Sequence, residues 1–196
     1  MTRHPPFLTG AMWPVHPAPQ PDELLSSYVI RIARAHRARP RPFWKAAAGV
    51  SRLLEVDFEP PPSLIAVLVD HVGIDPGRIQ QMTIDGFVKF GLLRDEDSRT
   101  IAFCPQCLKS DIPYYRRSWC LEFYTVCAKH GTALRTICGQ CRAWIRFERL
   151  SLDNAFTACH KCGFDLRGAP TEAFHMGNRL QSVIAHQDRF TRLLQN

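Results

Sequence analysis

Cys104-Pro105-Gln106-Cys107, Cys127-Ala128-Lys129-His130, Cys138-Gly139-Gln140-Cys141 and Cys159-His160-Lys161-Cys162 are four pairs of metal-ligand residues, each with two residues between its members. Nineteen residues separate Cys107 from Cys127, and seventeen separate Cys141 from Cys159. Two intervening residues let both side chains of a turn reach one ion, and a hairpin of this length brings two more ligands back to it. Pro105 and Gly139 lie inside such turns, and Gly131 and Gly163 follow them, as curled backbone requires. The spacing predicts two structural Zn²⁺ sites, and sequential pairing is the favoured arrangement. One site then has Cys104, Cys107, Cys127 and His130, and the other Cys138, Cys141, Cys159 and Cys162. The alternative is an interleaved cross-brace, in which pair one joins pair three.

Both sites fill four coordination positions with protein ligands, whereas catalytic zinc keeps one open. The sequence also lacks an HExxH helix and the deaminase signature. The chain is therefore expected not to be an enzyme. Cys120, the eighth cysteine, reads as a buried apolar residue in Trp119-Cys120-Leu121, with no identifiable partner base. His160 reads as a turn residue and His175 as a helix-surface residue. Trp119 and Phe123 are expected in the core of the first site's ribbon.

Outward from the cysteines, the chain divides into an extended proline-rich lead-in (1–21), a helical domain (22–99), a zinc-ribbon domain (100–170) and a C-terminal helix (171–196). The lead-in holds six of the fifteen prolines. The first helix is expected from Pro21 and Asp22, with Glu23 near its positive end. Leu25, Tyr28, Val29, Ile32 and His36 share one face at helical spacing. Pro40 and Pro42 are expected to end this helix, before a short second one over Phe43–Gly49. After Pro60-Pro61-Pro62, residues 63–72 read as a buried helix. The Gly73-Ile74-Asp75 turn then leads to a helix opened by Pro76. Helix, glycine turn, helix is the pattern of a helix-turn-helix unit and equally of a structural helical hairpin. The expected fold class is small α+β, a helix-turn-helix-like domain followed by tandem zinc ribbons.

The formal charge is +7, with 25 Lys plus Arg against 18 Asp plus Glu, and Arg outnumbers Lys 20 to 5. The excess is uneven, net +1 over residues 1–99 and net +6 over 100–196. Seven ionised thiols and two divalent ions take three charges from this total, leaving about +4. Arg31, Arg34, Arg37, Arg39, Arg41 and Lys45 lie in a stretch without any acidic residue. They form either a solvated helix face or a phosphate-contacting surface. Arg78 is a candidate reader on the second helix of the hairpin. Arg116, Arg117, Arg142 and Arg146 alternate with Tyr114, Tyr115, Trp119 and Trp144, an interleaving that suits base stacking with phosphate contact. No run of eighteen apolar residues exists, and the proline-broken start does not read as an export signal, so a cytoplasmic location without membrane contact is expected.

The sequence resembles the TniQ family of transposon target-selection proteins, whose relatives include TnsD. The resemblance rests on Glu23-Leu24-Leu25-Ser26-Ser27-Tyr28-Val29-Ile30-Arg31-Ile32-Ala33 and on Gly73 to Thr83. It rests most specifically on Phe103-Cys104-Pro105-Gln106-Cys107-Leu108 with Asp111, Tyr114, Arg116 and Trp119. Cys127-Ala128-Lys129-His130-Gly131 with Leu134, and then the third and fourth pairs, complete it. It spans residues 14 to 167. The resemblance implies a non-catalytic adaptor that links target recognition to an AAA+ ATPase of the TnsC type. In CRISPR-associated relatives the adaptor also meets the guide-RNA effector complex, so guide RNA and target DNA are the implied nucleic-acid partners. Many members are longer and carry a further C-terminal DNA-binding region. This chain is closer in size to the short forms of CRISPR-associated transposons. Two other classes stay open: a sequence-specific helix-turn-helix regulator, and a zinc module that binds only protein.

Overall fold

Leu25–Ala35 forms α1, and its first two turns are buried all round: Leu25, Ser26, Ser27, Tyr28, Val29 and Ile30 have almost no exposed surface. A helix start buried in this way needs partners for its free amides. Leu24, at the N-cap, offers no side-chain acceptor. The amide of Leu25 donates to the Met82 carbonyl at 3.0 Å, and that of Ser26 to Asp57 Oδ1 at 2.6 Å. The carboxylate at the positive end of α1 is thus Asp57, thirty-one residues along the chain, and not Glu23 as its sequence position suggests. Asp22 is left-handed (φ 57°), so the helix cannot begin there.

Glu23 has a different task. Its side chain is fully buried and accepts from Arg31 Nε and Nη2, both at 2.7 Å, from Ser27 Oγ at 3.1 Å and from the Gln20 amide at 2.9 Å. The two-pronged guanidinium contact and two further donors compensate a carboxylate taken out of water.

The structure, a computed structural model, describes residues 12–88, 91–94, 100–150, 152–171 and 179–193. The chain divides into two compact units, Met1–Asp85 and Gly86–Asn196. In the first unit, α2 (Pro40–Ala48) packs on α1 and on α3 (Pro62–Val72). Pro40 stands in the first turn of α2, so it opens this helix; a proline there loses no hydrogen bond. Only Leu64, Leu68 and Val72 of α3 are buried, so this helix lies on the surface with one face inward, not enclosed as its apolar run suggests. Gly73 (φ 72°) closes α3, and Asp75 caps the five-residue α4 (Pro76–Gln80) by accepting the Arg78 amide.

The lead-in contributes to this core. Trp13 is 1% exposed, and its amide donates to the His71 carbonyl at 2.8 Å. Its ring stacks on His71 and meets His36, Phe43 and Trp44 edge-on or tilted, with centroids 5.2–5.8 Å apart. Trp44 Nε1 donates to the Val29 carbonyl, which ties α2 to the middle of α1.

Short α5 (Asp85–Val88) follows α4 along the chain, and among the described residues the second unit has four 3-10 turns and α6 (Leu180–Leu193). The β component, among the described residues, is five isolated antiparallel bridges. The core is aromatic. Tyr115 stacks on Phe147 at 4.2 Å, and Phe156 and Trp119 meet Tyr115 edge-on. Trp119 is buried, whereas Phe123 is half-buried against Phe190 of α6. Cys120 is half-exposed, not buried as expected. His175 lies outside the described residues. No described helix is long and apolar enough to cross a membrane.

Replacing Glu23 by alanine strands the Arg31 guanidinium in a site 10% exposed and should cost about 3 kcal/mol of stability. Urea unfolding of the full chain, followed by tryptophan emission, measures it; an unchanged midpoint would contradict the role given to Glu23.

Candidate metal centres

The four ligand pairs are built on one backbone pattern. In each, the residue after the second ligand donates its amide to the carbonyl of the first: Leu108 to Cys104, Gly131 to Cys127, Arg142 to Cys138 and Gly163 to Cys159, at 2.8–3.1 Å. In the last three pairs the first ligand's own amide donates five residues ahead, to Thr132, Ala143 and Phe164. A bridge then joins the flanking residues: Val126 with Ala133, Ile137 with Trp144, and Ala158 with Asp165. The first pair departs from the other three. Phe103 pairs instead with Arg135, and the chain runs on into a 3-10 turn at Cys107–Lys109.

In the last three pairs the residue after the second ligand is left-handed. Gly131 (φ 62°) and Gly163 (φ 75°) adopt this conformation at no steric cost. The third pair puts Arg142 there, at φ 61°.

The pairs combine sequentially. Cys104, Cys107, Cys127 and His130 form one cluster, and Cys138, Cys141, Cys159 and Cys162 the other, with ligand atoms within 4.8 Å of one another. In the first, Cys107 Sγ lies 3.6 Å from Cys127 Sγ, and His130 Nδ1 lies 3.4 Å from each of the three sulfurs. In the second, Cys138 to Cys162 and Cys141 to Cys159 are both 3.7 Å. A tetrahedron with Zn–S of about 2.3 Å and Zn–N of about 2.0 Å has S···S edges of about 3.8 Å and S···N edges of about 3.5 Å. The observed edges match, and they are far longer than a disulfide. Both clusters can hold a metal ion, and their donors are those zinc prefers.

The clusters differ in depth. The cysteines of the first are buried, and Thr132 Oγ1 lies 3.6 Å from Cys104 Sγ. In the second, Cys141 is half-exposed and Cys162 exposed. Hydrogen bonds from the Cys107 and Cys127 thiols hold Cys104 strongly toward the thiolate; the same contacts and burial push Cys107 up. Such a group cannot carry three thiolates unaided, and a divalent ion supplies the missing positive charge.

The clusters are joined by packing. The turns at Cys107–Lys109 and Leu166–Gly168 touch, with Leu108 and Leu166 fully enclosed. Gln187 of α6 fastens the helix to the first centre's hairpin. Its Oε1 accepts from the amides of Thr125 (2.8 Å) and Val126 (3.1 Å), and its Nε2 donates to the Val126 carbonyl. Polar and distant in sequence, Gln187 carries no pattern that marks it for this task.

The basic candidates have varied surroundings. Arg31 is held by Glu23, and its Nη2 also reaches the Ala18 carbonyl. Arg34 is half-buried; Arg37, Arg39, Arg41 and Lys45 are exposed around the start of α2. Arg78 reaches the Gln20 carbonyl and Gln81. Arg116 lies over the rings of Tyr114 (4.7 Å) and Trp119 (5.7 Å), and Arg117 over Phe87 (5.6 Å). These two therefore have packing partners that the sequence reading did not supply. Arg142 is exposed, and Arg146 is partly so, 4.0 Å from Glu148. His160 stands in the turn between Cys159 and Cys162, outside the ligand set.

No curated protein matches the sequence. The TniQ family profile matches residues 14–134. This stretch takes in Trp13's neighbour Pro14, the helices α1 to α5 and all four ligands of the first centre. It stops before Cys138, so the second centre lies beyond it, whereas the resemblance of individual residues extends to 167. The match covers more than half of the chain, which therefore belongs to the TniQ family, whose role is associated with target selection in transposition.

Proposed function

We propose that the chain is a non-catalytic adaptor for target selection, held in shape by two structural Zn²⁺ ions. It bridges an AAA+ transposition regulator of the TnsC type to target DNA or to a guide-RNA effector complex. The observation that carries this reading is the TniQ match over α1 to the first centre, joined to two four-ligand clusters that leave no coordination position for chemistry. In this reading the hairpins at Cys104–Gly131 and Cys138–Gly163 act as tandem zinc ribbons. The α3–Gly73–α4 corner acts as a helix-turn-helix-like unit, and Arg37, Arg39, Arg41 and Lys45 provide phosphate contacts.

A free-standing, sequence-specific regulator is the weaker reading. α4 has five residues, and its one basic side chain, Arg78, already bonds to Gln20 and Gln81. Little remains to read base edges.

Immobilised zinc-loaded chain should retain the cognate AAA+ ATPase in the presence of ATP and nucleic acid. Failure to retain it, with or without nucleic acid, would overturn the bridging role. Chelation should make Gly86–Asn196 susceptible to protease, because its hairpins close on the ions and not on a large apolar core. Cleavage at an unchanged rate after the metal has demonstrably left would show that the centres are not structural.

A further inference from the structure

Residues 143–146 join the third ligand pair to the 3-10 turn at Phe147–Arg149, and burial alternates along them. Ala143 is half-buried, and Ile145 (1% exposed) and Phe147 (2%) point into the core. Trp144 is exposed and Arg146 half-buried, and Arg142, in the left-handed turn just before them, is exposed. Trp144 is 53% exposed, whereas Trp13, Trp44 and Trp119 are each 1% exposed or less. The bridge from Ile137 to Trp144 fixes the indole's backbone one step beyond the Cys138–Cys141 turn.

We infer that the Arg142–Trp144–Arg146 stripe is a binding site for single-stranded nucleic acid, in which an unpaired base stacks on Trp144 and the flanking arginines hold its phosphates. This deepens the adaptor reading and rests on its nucleic-acid contact, since it names the part of the chain and the form of nucleic acid involved.

Three observations carry it. An indole half in water is poor packing for a side chain of this size, and an open π-face suits any base. The stripe is also positive: Arg146 and Arg149 both approach Glu148, at 4.0 and 3.7 Å, so one carboxylate serves two guanidiniums, and Arg142 adds a third. Compensation of the thiolate cluster explains arginines nearby, but it does not explain an exposed tryptophan between two of them. Finally, Arg142 sits in the left-handed conformation that the second and fourth pairs give to glycine. A long side chain kept at a position where glycine is easier points to a task outside the fold. Duplex is disfavoured, because bases inside a stack cannot reach the indole.

The only well-exposed tryptophan reports its own ligand. The zinc-loaded full chain is titrated with a thymidine or uridine oligonucleotide of roughly ten nucleotides, and with a duplex of equal length. Either single strand should quench the long-wavelength part of the emission and bind more tightly than duplex; the tighter of the two tells RNA from displaced DNA. Trp144→Ala should weaken binding about five- to hundredfold, with Trp144→Phe retaining most of it. Arg142→Gln with Arg146→Gln should reduce the slope of log affinity against log salt by about 1.4. Arg142→Gly should weaken binding while leaving the unfolding midpoint unchanged or raised, which separates contact from folding. Strand binding without quenching, equal affinity for duplex, or full affinity in Trp144→Ala would overturn the stripe and leave nucleic-acid contact elsewhere on the chain intact. Absence of binding to every probe would overturn both.

Discussion

The distance between ligand atoms is the constraint that the whole of Gly86–Asn196 obeys. Seven sulfurs and one imidazole nitrogen stand at the corners of two tetrahedra. They can do so only because each ligand pair is bent by the same amide-to-carbonyl bond across four residues. In the last three pairs a second bond, from the first ligand's amide to the carbonyl five residues ahead, goes with a left-handed residue and an isolated bridge. A hairpin whose tip closes on an ion would need little sheet behind it. Its core is centred on a stack of Tyr115, Phe147, Phe156 and Trp119, with Leu108 and Leu166 linking the two clusters.

Met1–Asp85 is organised by a different means. Its central helix starts inside the protein and is satisfied there by the Asp57 carboxylate and the Met82 carbonyl. Beside it, Glu23 gathers Arg31, Ser27 and the Gln20 amide into one buried polar group. Such a network fixes register, because a shift of one residue would leave a charge without its partner. Trp13 stands among His36, Phe43, Trp44 and His71 and adds the lead-in to the same core.

The metal centres were the most legible part of the sequence, because ligand chemistry demands residue types and spacings that chance rarely supplies. Sequential pairing followed from loop length, and the structure has it; which histidine nitrogen faces the ion did not, since that depends on the rotamer. The helices were legible as elements and less so at their ends. Asp22 and Glu23 look like a helix start, but a left-handed Asp22 and a long-range ion pair override local preference. Gln187 and Asp57 could not be found at all: a single polar residue acting across 31 or 62 positions leaves no periodic trace. Arg31 and Trp144 show the same limit at the surface. Composition marks both as candidates for nucleic acid, and only packing separates the one held by Glu23 from the one facing water.

The two ligand clusters are closed and of unequal composition. X-ray absorption at the zinc edge of the purified chain tests them most directly. Two ions per chain are predicted, with a mean shell of 3.5 sulfurs at about 2.3 Å and half a nitrogen at about 2.0 Å. A single ion per chain, or a shell with an oxygen from water in place of a sulfur, would contradict it.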